Sequence, residues 1–205
     1  MEMIWKFLAA IVLGYVIGSI PFALVIGKVF YHKDIRQFGS KNLGGGNAGR
    51  VLGKKAGLAV MTLDLLKVTL VIGLTSLLSS GEMIAVIGGL AAAAGHCFPL
   101  FAKFKGGKAV ATMYGFLFGM FVFRGYSLWI FLLPLLVFLG VLYLTKIIAL
   151  GSIVSAFVNT VFIGVTAGIG PVCIASAIFS VVILIRHHKN IERMLKGEEN
   201  KISWM

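Results

Sequence analysis

Apolar residues dominate seven stretches of this 205-residue chain, at 3–29, 58–78, 84–101, 109–123, 127–144, 147–166 and 171–185. Each is near or somewhat under the ~20 residues that carry a helix across bilayer hydrocarbon, the fourth being among the shorter. The pattern predicts an all-α integral membrane protein of about seven transmembrane helices. Little sequence is left outside them except the 30s to 50s and a short C-terminal tail, so one membrane-embedded domain over 1–205 is expected. The first run is expected to stay in the protein, because Gly18, Ser19 and Pro21 interrupt it and no small-x-small cleavage site closes a short apolar core.

Composition agrees with this pattern. Hydrophobic residues make up 59% of the chain, charged residues 13%, and the mean hydropathy is +1.00, far above an ordinary soluble domain. Cys97 and Cys173 both lie in or beside apolar runs, where a free thiol behaves as a small hydrophobe, so neither a disulfide nor a metal site is expected from them.

The net charge of +12 acquires meaning only against topology. Seven crossings put 28–57, 102–108, 145–146 and the C-terminal tail on one side, and that side holds 16 of the 19 Lys and Arg. The opposite side has Lys6 and Arg124, while Lys67 lies within a span. Such a split predicts a cytoplasmic basic face, a cytoplasmic C-terminus and an outside N-terminus. Topology and attraction to anionic headgroups account for much of this charge, so nucleic acid is not the expected partner.

Three of the cytoplasmic segments carry more than cations. In "GSKNLGGGNAGR", residues 39–50, glycines allow backbone N–H groups to turn toward an anion, and Ser40, Asn42, Asn47 and Arg50 add donors. The formal Gly44-x-Gly46-x-x-Gly49 dinucleotide pattern lacks the strand and βαβ unit it requires, and Gly53-Lys54-Lys55 fails as a Walker A end, so no nucleotide is expected. In "GHCFPLFAKFKGGKAVAT", residues 95–112, Pro99 stops a helix, and Gly106-Gly107-Lys108 stands just before the next as a second anion cradle. His96 there is open to a structural or a ligand-facing role, and Lys103 and Lys105 suit headgroups. In "RHHKNIERMLKGEENK", from Arg186, an amphipathic continuation of the last span places His187 and Asn190 on one helical face. Asp64 and Lys67, at i and i+3 inside a span, are expected to neutralise each other as a structural ion pair rather than relay protons.

Three anion-suited segments on one membrane face imply a phosphorylated ligand handled beside lipid. Their wording and order resemble the PlsY family, the bacterial acyl-phosphate:glycerol-3-phosphate acyltransferases, over nearly the whole chain. The first family motif, G-S-G-N-x-G-A-T-N, is read here as Gly39-Ser40-Lys41-Asn42-Leu43-Gly44-Gly45-Gly46-Asn47, with Arg50 at the family spacing. The second appears as Gly95-His96-Cys97-Phe98-Pro99 and Phe104-Lys105-Gly106-Gly107-Lys108, and the third as Arg186-His187-His188-Lys189-Asn190-Ile191.

The resemblance implies acyl transfer from acyl phosphate to the 1-hydroxyl of glycerol 3-phosphate, in a bacterial plasma membrane with the site on its cytoplasmic face and without a cofactor or metal. It implies that Ser40, Asn47 and Lys108 hold phosphate at the reacting centre. Arg50, Lys108, His187 and Asn190 would position glycerol 3-phosphate, within a binding set that includes Gly39, Asn42, Gly44, Gly46, His96, Gly106 and Gly107. The H-x-x-x-x-D motif of other glycerolipid acyltransferases is missing: Phe101 stands five after His96, and Glu192 five after His187. Gly46 replaces the family threonine, Lys41 its second glycine and Ala149 a frequent serine, changes expected of a divergent paralogue with altered acceptor choice or lower activity. A carrier of organic phosphate or another anion is the rival class, but it would place its site at the midplane between repeated halves, and the chain has no such repeat.

Overall fold

The computed structural model describes residues 1–202, and among these every regular element is helical. The chain divides into two compact units, Met1–Gly125 and Tyr126–Met205.

The first unit holds α1 (Glu2–Gly18), α2 (Phe22–Tyr31), α3 (Gly45–Leu52), α4 (Lys54–Leu78), α5 (Glu82–Cys97) and α6 (Val110–Arg124), with 3-10 turns at Ile35–Gln37 and Leu100–Ala102. Helix α4 is central, packing against α6, α5, α3, α1 and α2. Close approach of backbones replaces bulk at these contacts, as expected where lipid removes the hydrophobic gain of packing apolar side chains together. Gly14 and Gly18, one turn apart on α1, rest on the backbone of Gly88 and Ala92, one turn apart on α5. Between α4 and α6 the Thr69 hydroxyl donates to the Gly115 carbonyl at 3.0 Å, and Phe116, Leu117, Met113 and Met120 are fully buried.

The first apolar run is broken between α1 and α2 because Pro21 has no N–H to continue the ladder. The break leaves the Ile20 carbonyl outside any helix, where it accepts a hydrogen bond from Lys67 Nζ at 2.9 Å. Lys67 is also 2.7 Å from Asp64 Oδ1, so the ion pair read from the sequence is present, with both residues buried.

The second unit holds α7 (Trp129–Thr145), α8 (Ile148–Ala167), α9 (Pro171–Arg186) and α10 (His188–Leu195). Helices α8 and α9 are joined by polar side chains: Asn159 donates to Ser176 Oγ at 3.3 Å, and the Ser180 hydroxyl lies 2.8 Å from that of Thr160 and donates to the Ala156 carbonyl. Helix α10 leaves α9 at a bend of 58°. Cys97 and Cys173 are buried thiols outside any disulfide, as their apolar settings suggest.

Each of the seven apolar runs contains a helix. Among the described residues four stretches are long and apolar enough to cross a bilayer, namely Glu2–Tyr31, α4, α5 and α8, and α9 with α10 is a fifth if the bent pair is one span. Helices α6 and α7 are apolar but shorter. Large side chains such as Leu77, Leu144 and Val165 stand about four-fifths exposed on helix surfaces, which suits a hydrocarbon solvent.

Candidate active site

The first polar segment follows α2 and is shaped from both ends. Asp34 caps the 3-10 turn: its Oδ1 accepts from the Arg36 backbone N–H at 3.1 Å, and its carboxylate holds the Arg36 guanidinium at 2.9 and 2.6 Å. That guanidinium is the main reason the Asp34 carboxyl titrates at about 2, below its usual range. Beyond the turn, Gly39 has φ +57 and lies so close to the Asn47 side chain that a Cβ would strike Asn47 Oδ1. Only glycine meets both conditions without strain.

Asn47 is buried and braces this loop from within. Its Oδ1 accepts from the Ser40 N–H at 2.8 Å, and its Nδ2 donates to the carbonyls of Ile35 and Phe38 at 3.3 and 3.2 Å. Both amide hydrogens therefore point into the loop, while Ser40 and Arg50 stand exposed and Asn42, Gly44 and Gly46 are half-buried. Helix α3 starts at Gly45 after an extended Gly44, and no side chain caps its first turn. Uncapped N–H groups on glycines, with Gly46 and Arg50 one turn apart, form a surface suited to a phosphate.

The second segment is fastened to the same unit. Ala102 is buried in one cluster with Leu43, Ala48, Leu52, Ile35 and Val60, so a shared apolar core lies under the first two polar segments. The Tyr15 hydroxyl donates to the Phe98 carbonyl at 2.9 Å, and the Gly107 N–H donates to the His96 carbonyl at 3.0 Å. Gly106 and Gly107 are buried and Lys108 half-buried, just before α6. A Cβ on Gly107 would enter the His96 imidazole. His96 itself is buried, its Nδ1 3.2 Å from Lys67 Nζ and 3.5 Å from Asp64 Oδ1. Its ring is thus built into the wall behind Gly107.

The third segment belongs to the second unit. His187 sits at the bend between α9 and α10, buried, its Nδ1 2.8 Å from the Ile183 carbonyl. Because a carbonyl only accepts, Nδ1 carries the hydrogen. Asn190 is buried and donates to Glu199 Oε1 at 2.7 Å, and Arg193 Nε donates to Glu199 Oε2 at 2.7 Å. The Ile202 N–H closes the tail onto the Lys146 carbonyl at 2.9 Å.

Sequence reasoning located all three segments, and the structure brings the first two together in one unit. It missed Glu199, whose partners lie across a turn and whose only signal was an acidic pair in a basic tail. It also missed that His96 completes the Asp64–Lys67 pair, since the three come from two different helices.

The glycerol-3-phosphate acyltransferase family profile matches residues 8–197. The chain is 44% identical to a glycerol-3-phosphate acyltransferase of Listeria monocytogenes serovar 1/2a, with 94% of this chain and 95% of the relative covered. It is 39% identical to one of Enterococcus faecalis, with 97% and 93% covered. Among solved structures, the glycerol 3-phosphate form of PlsY (YgiH), an integral membrane glycerol 3-phosphate acyltransferase, matches with a TM-score of 0.87 at 33% identity, covering 96% of each chain. Its lysophosphatidic acid form matches with a TM-score of 0.84 at 32% identity, covering 96% of this chain and 95% of that one. The family match runs through all three polar segments, and this chain belongs to the glycerol-3-phosphate acyltransferase family.

Proposed function

We propose that this enzyme transfers a fatty acyl group from acyl phosphate to the 1-hydroxyl of glycerol 3-phosphate, giving lysophosphatidic acid and inorganic phosphate, the first step of phospholipid synthesis. The observation that carries the reading is the pairing of two glycine-lined loops, each before a helix and each with a cation, above one apolar core in a chain of this family. Both substrates bring a phosphate, and the donor brings an alkyl chain that belongs in lipid.

The whole chain acts as one membrane-embedded acyltransferase. Helices α1 with α2, α4, α5, α6, α7, α8 and α9 serve as seven crossings of a bacterial plasma membrane, with the N-terminus outside. The 16 to 2 distribution of cations supports a cytoplasmic site, which also gives access to soluble glycerol 3-phosphate.

Lys108 and the N–H groups of Gly106 and Gly107 stabilise negative charge on phosphate at the reacting centre. Ser40 adds a hydroxyl donor, and Asn47 acts through the loop that presents it. In the first unit Arg50, with the glycine amides at 44–46, binds the glycerol phosphate; in the second unit His187 and Asn190 are the acceptor-binding residues that the third family motif implies. The acceptor hydroxyl attacks the acyl carbonyl carbon, the bond from that carbon to the phosphate oxygen breaks, and phosphate departs. The leaving phosphate is a good leaving group and takes the hydroxyl proton itself, so placement supplies most of the catalysis.

The test is acyl transfer from palmitoyl phosphate to labelled glycerol 3-phosphate by purified protein in lipid, beside Lys108→Ala and a palmitoyl-CoA control. Product with acyl phosphate only, reduced about a thousandfold in Lys108→Ala, is expected. His187→Ala should raise KM for glycerol 3-phosphate and largely spare kcat; a collapse of kcat at unchanged KM would assign the proton to a protein base instead.

A further inference from the structure

Three ionisable side chains lie together in the first unit. Asp64, Lys67 and His96 are 1%, 4% and 6% exposed, and burying this many such groups is costly unless each is fully partnered. An ammonium has three hydrogens, and Lys67 has three acceptors around it: Ile20 O at 2.9 Å, Asp64 Oδ1 at 2.7 Å and His96 Nδ1 at 3.2 Å. Lys67 also lies 5.6 Å from the centre of the Phe22 ring.

The geometry sets the state of the histidine. Lys67 has no lone pair when charged, so the contact at 3.2 Å makes His96 Nδ1 its acceptor and favours the ring hydrogen on Nε2 over an Nδ1–H donated to the more distant Asp64 Oδ1 at 3.5 Å. A second positive charge on the ring would face the ammonium at 3.2 Å with one carboxylate to balance both. Nε2 is the ring atom that a Cβ on Gly107 would meet first, with Cε1 and Cδ2 next. The backbone of His96 reaches the same place: its carbonyl accepts the Gly107 N–H at 3.0 Å, and a Cβ on Gly106 would strike that carbonyl.

We infer that Asp64 and Lys67 are positioning residues: they fix His96 as the Nε2–H tautomer with its ring against Gly107, and so set the shape of the Gly106–Gly107–Lys108 phosphate loop. This rests on the reading that the loop binds phosphate. The chain of contacts runs from the carbonyl freed at the Pro21 break through Lys67 to the ring and then to the loop, so a helix break deep in the unit holds a binding loop at its edge. Lysine suits the central place because its three hydrogens diverge toward three separate acceptors; the planar fork of arginine would not reach them.

The experiment has two arms. In the first, histidine-selective 15N spectra of the wild-type protein in detergent, with His96 assigned by its loss in His96→Gln, read the tautomer without any assay. Protonated Nε2 with an accepting Nδ1 is expected, and a ring carrying its hydrogen on Nδ1 would overturn the inference whatever the enzyme's substrate. In the second, Asp64→Asn with Lys67→Met removes both charges and leaves neither unpaired, which keeps the fold accessible where Lys67→Met alone would bury a lone carboxylate. KM for glycerol 3-phosphate should rise about tenfold to a hundredfold while kcat stays within about threefold. His96→Gln, which keeps a donor at the Nε2 place, should lie between wild type and His96→Ala. An unchanged KM in a folded double variant would reduce the pair to a structural ion pair. No product from wild-type protein would instead remove the functional reading, and the spectra would still decide the tautomer.

Discussion

The two glycine-lined loops of the first unit are held in opposite ways. The 39–50 loop is braced by one neutral amide, Asn47, that belongs to the loop and reaches back seven residues to Ser40. The 106–108 loop is braced by the His96 ring, itself held by Lys67 from 29 residues away, and Lys67 in turn grips Ile20, 47 residues away. Local bracing from one buried amide fits a loop whose outer residues, such as Ser40 and Arg50, face solvent. A buried ionic set fits the loop that lies on the bundle, where an unmatched charge is costly and the arrangement therefore has few alternatives.

The sharpest break in this contrast is Gly107→Ala. Gly107 does not have the left-handed backbone that would itself exclude alanine, so the contact with the His96 ring sets the cost. Steady-state assays should show KM for glycerol 3-phosphate raised by about a hundredfold. In a His96→Ala background the methyl has space, and the further cost should shrink to about threefold. Equal costs in both backgrounds would mean that something other than the ring holds the loop.

Asn47→Ala tests the other side. It removes two donors and one acceptor from the 35–40 backbone, which should lower stability by about 2 kcal/mol and activity by about tenfold. The effect should stay local: hydrogen exchange should accelerate at 35–47 and not at 98–108. Faster exchange in both loops would show that the shared cluster around Leu43, Ala48 and Ala102 couples them more strongly than their separate braces imply.

The same contrast explains what the sequence made legible. The seven apolar runs and the three polar segments stand out because each is a property of consecutive residues, and the Asp64–Lys67 pair was visible because it spans less than one helical turn. His96 was ambiguous for a physical reason. A histidine declares its role through partners, and here they lie on a helix far away in the chain. Glu199 was hidden similarly, since only the fold of the tail turns it onto Asn190 and Arg193. Asn47 looked like a phosphate donor because an amide beside glycines reads alike whether it faces ligand or loop.

One departure from the resembled family motif carries a backbone cost. Lys41, where the family has glycine, adopts φ +58, a left-handed conformation that costs a side-chain-bearing residue about 1 kcal/mol. Lys41→Gly should therefore raise thermal stability, by less than that amount because glycine also frees the unfolded chain, measured by the unfolding midpoint in detergent. An unchanged midpoint would mean that the lysine recovers the backbone cost by its own contacts. The 106–108 loop should show no comparable response, because its shape is set by the ring behind it.

The smallest expected effect belongs to Asp34, which starts the locally braced loop. Its carboxyl titrates at about 2 in the folded protein against a reference of 3.8, chiefly through the Arg36 guanidinium. A folded-state value below the unfolded one means stabilisation that is fully present above about pH 5 and is lost as pH falls through 3.8 toward 2. The side chain is partly exposed, so water screens the pair and the contribution should be no more than about 1 kcal/mol. Wild type and Asp34→Asn should thus differ in unfolding midpoint by a constant amount near neutrality, and the difference should close on acidification. A gap that persists below about pH 2, where the carboxyl is protonated in the folded protein too, would assign the stabilisation to capping of the 3-10 turn, which the neutral amide and the protonated acid provide to different degrees, rather than to the charge pair.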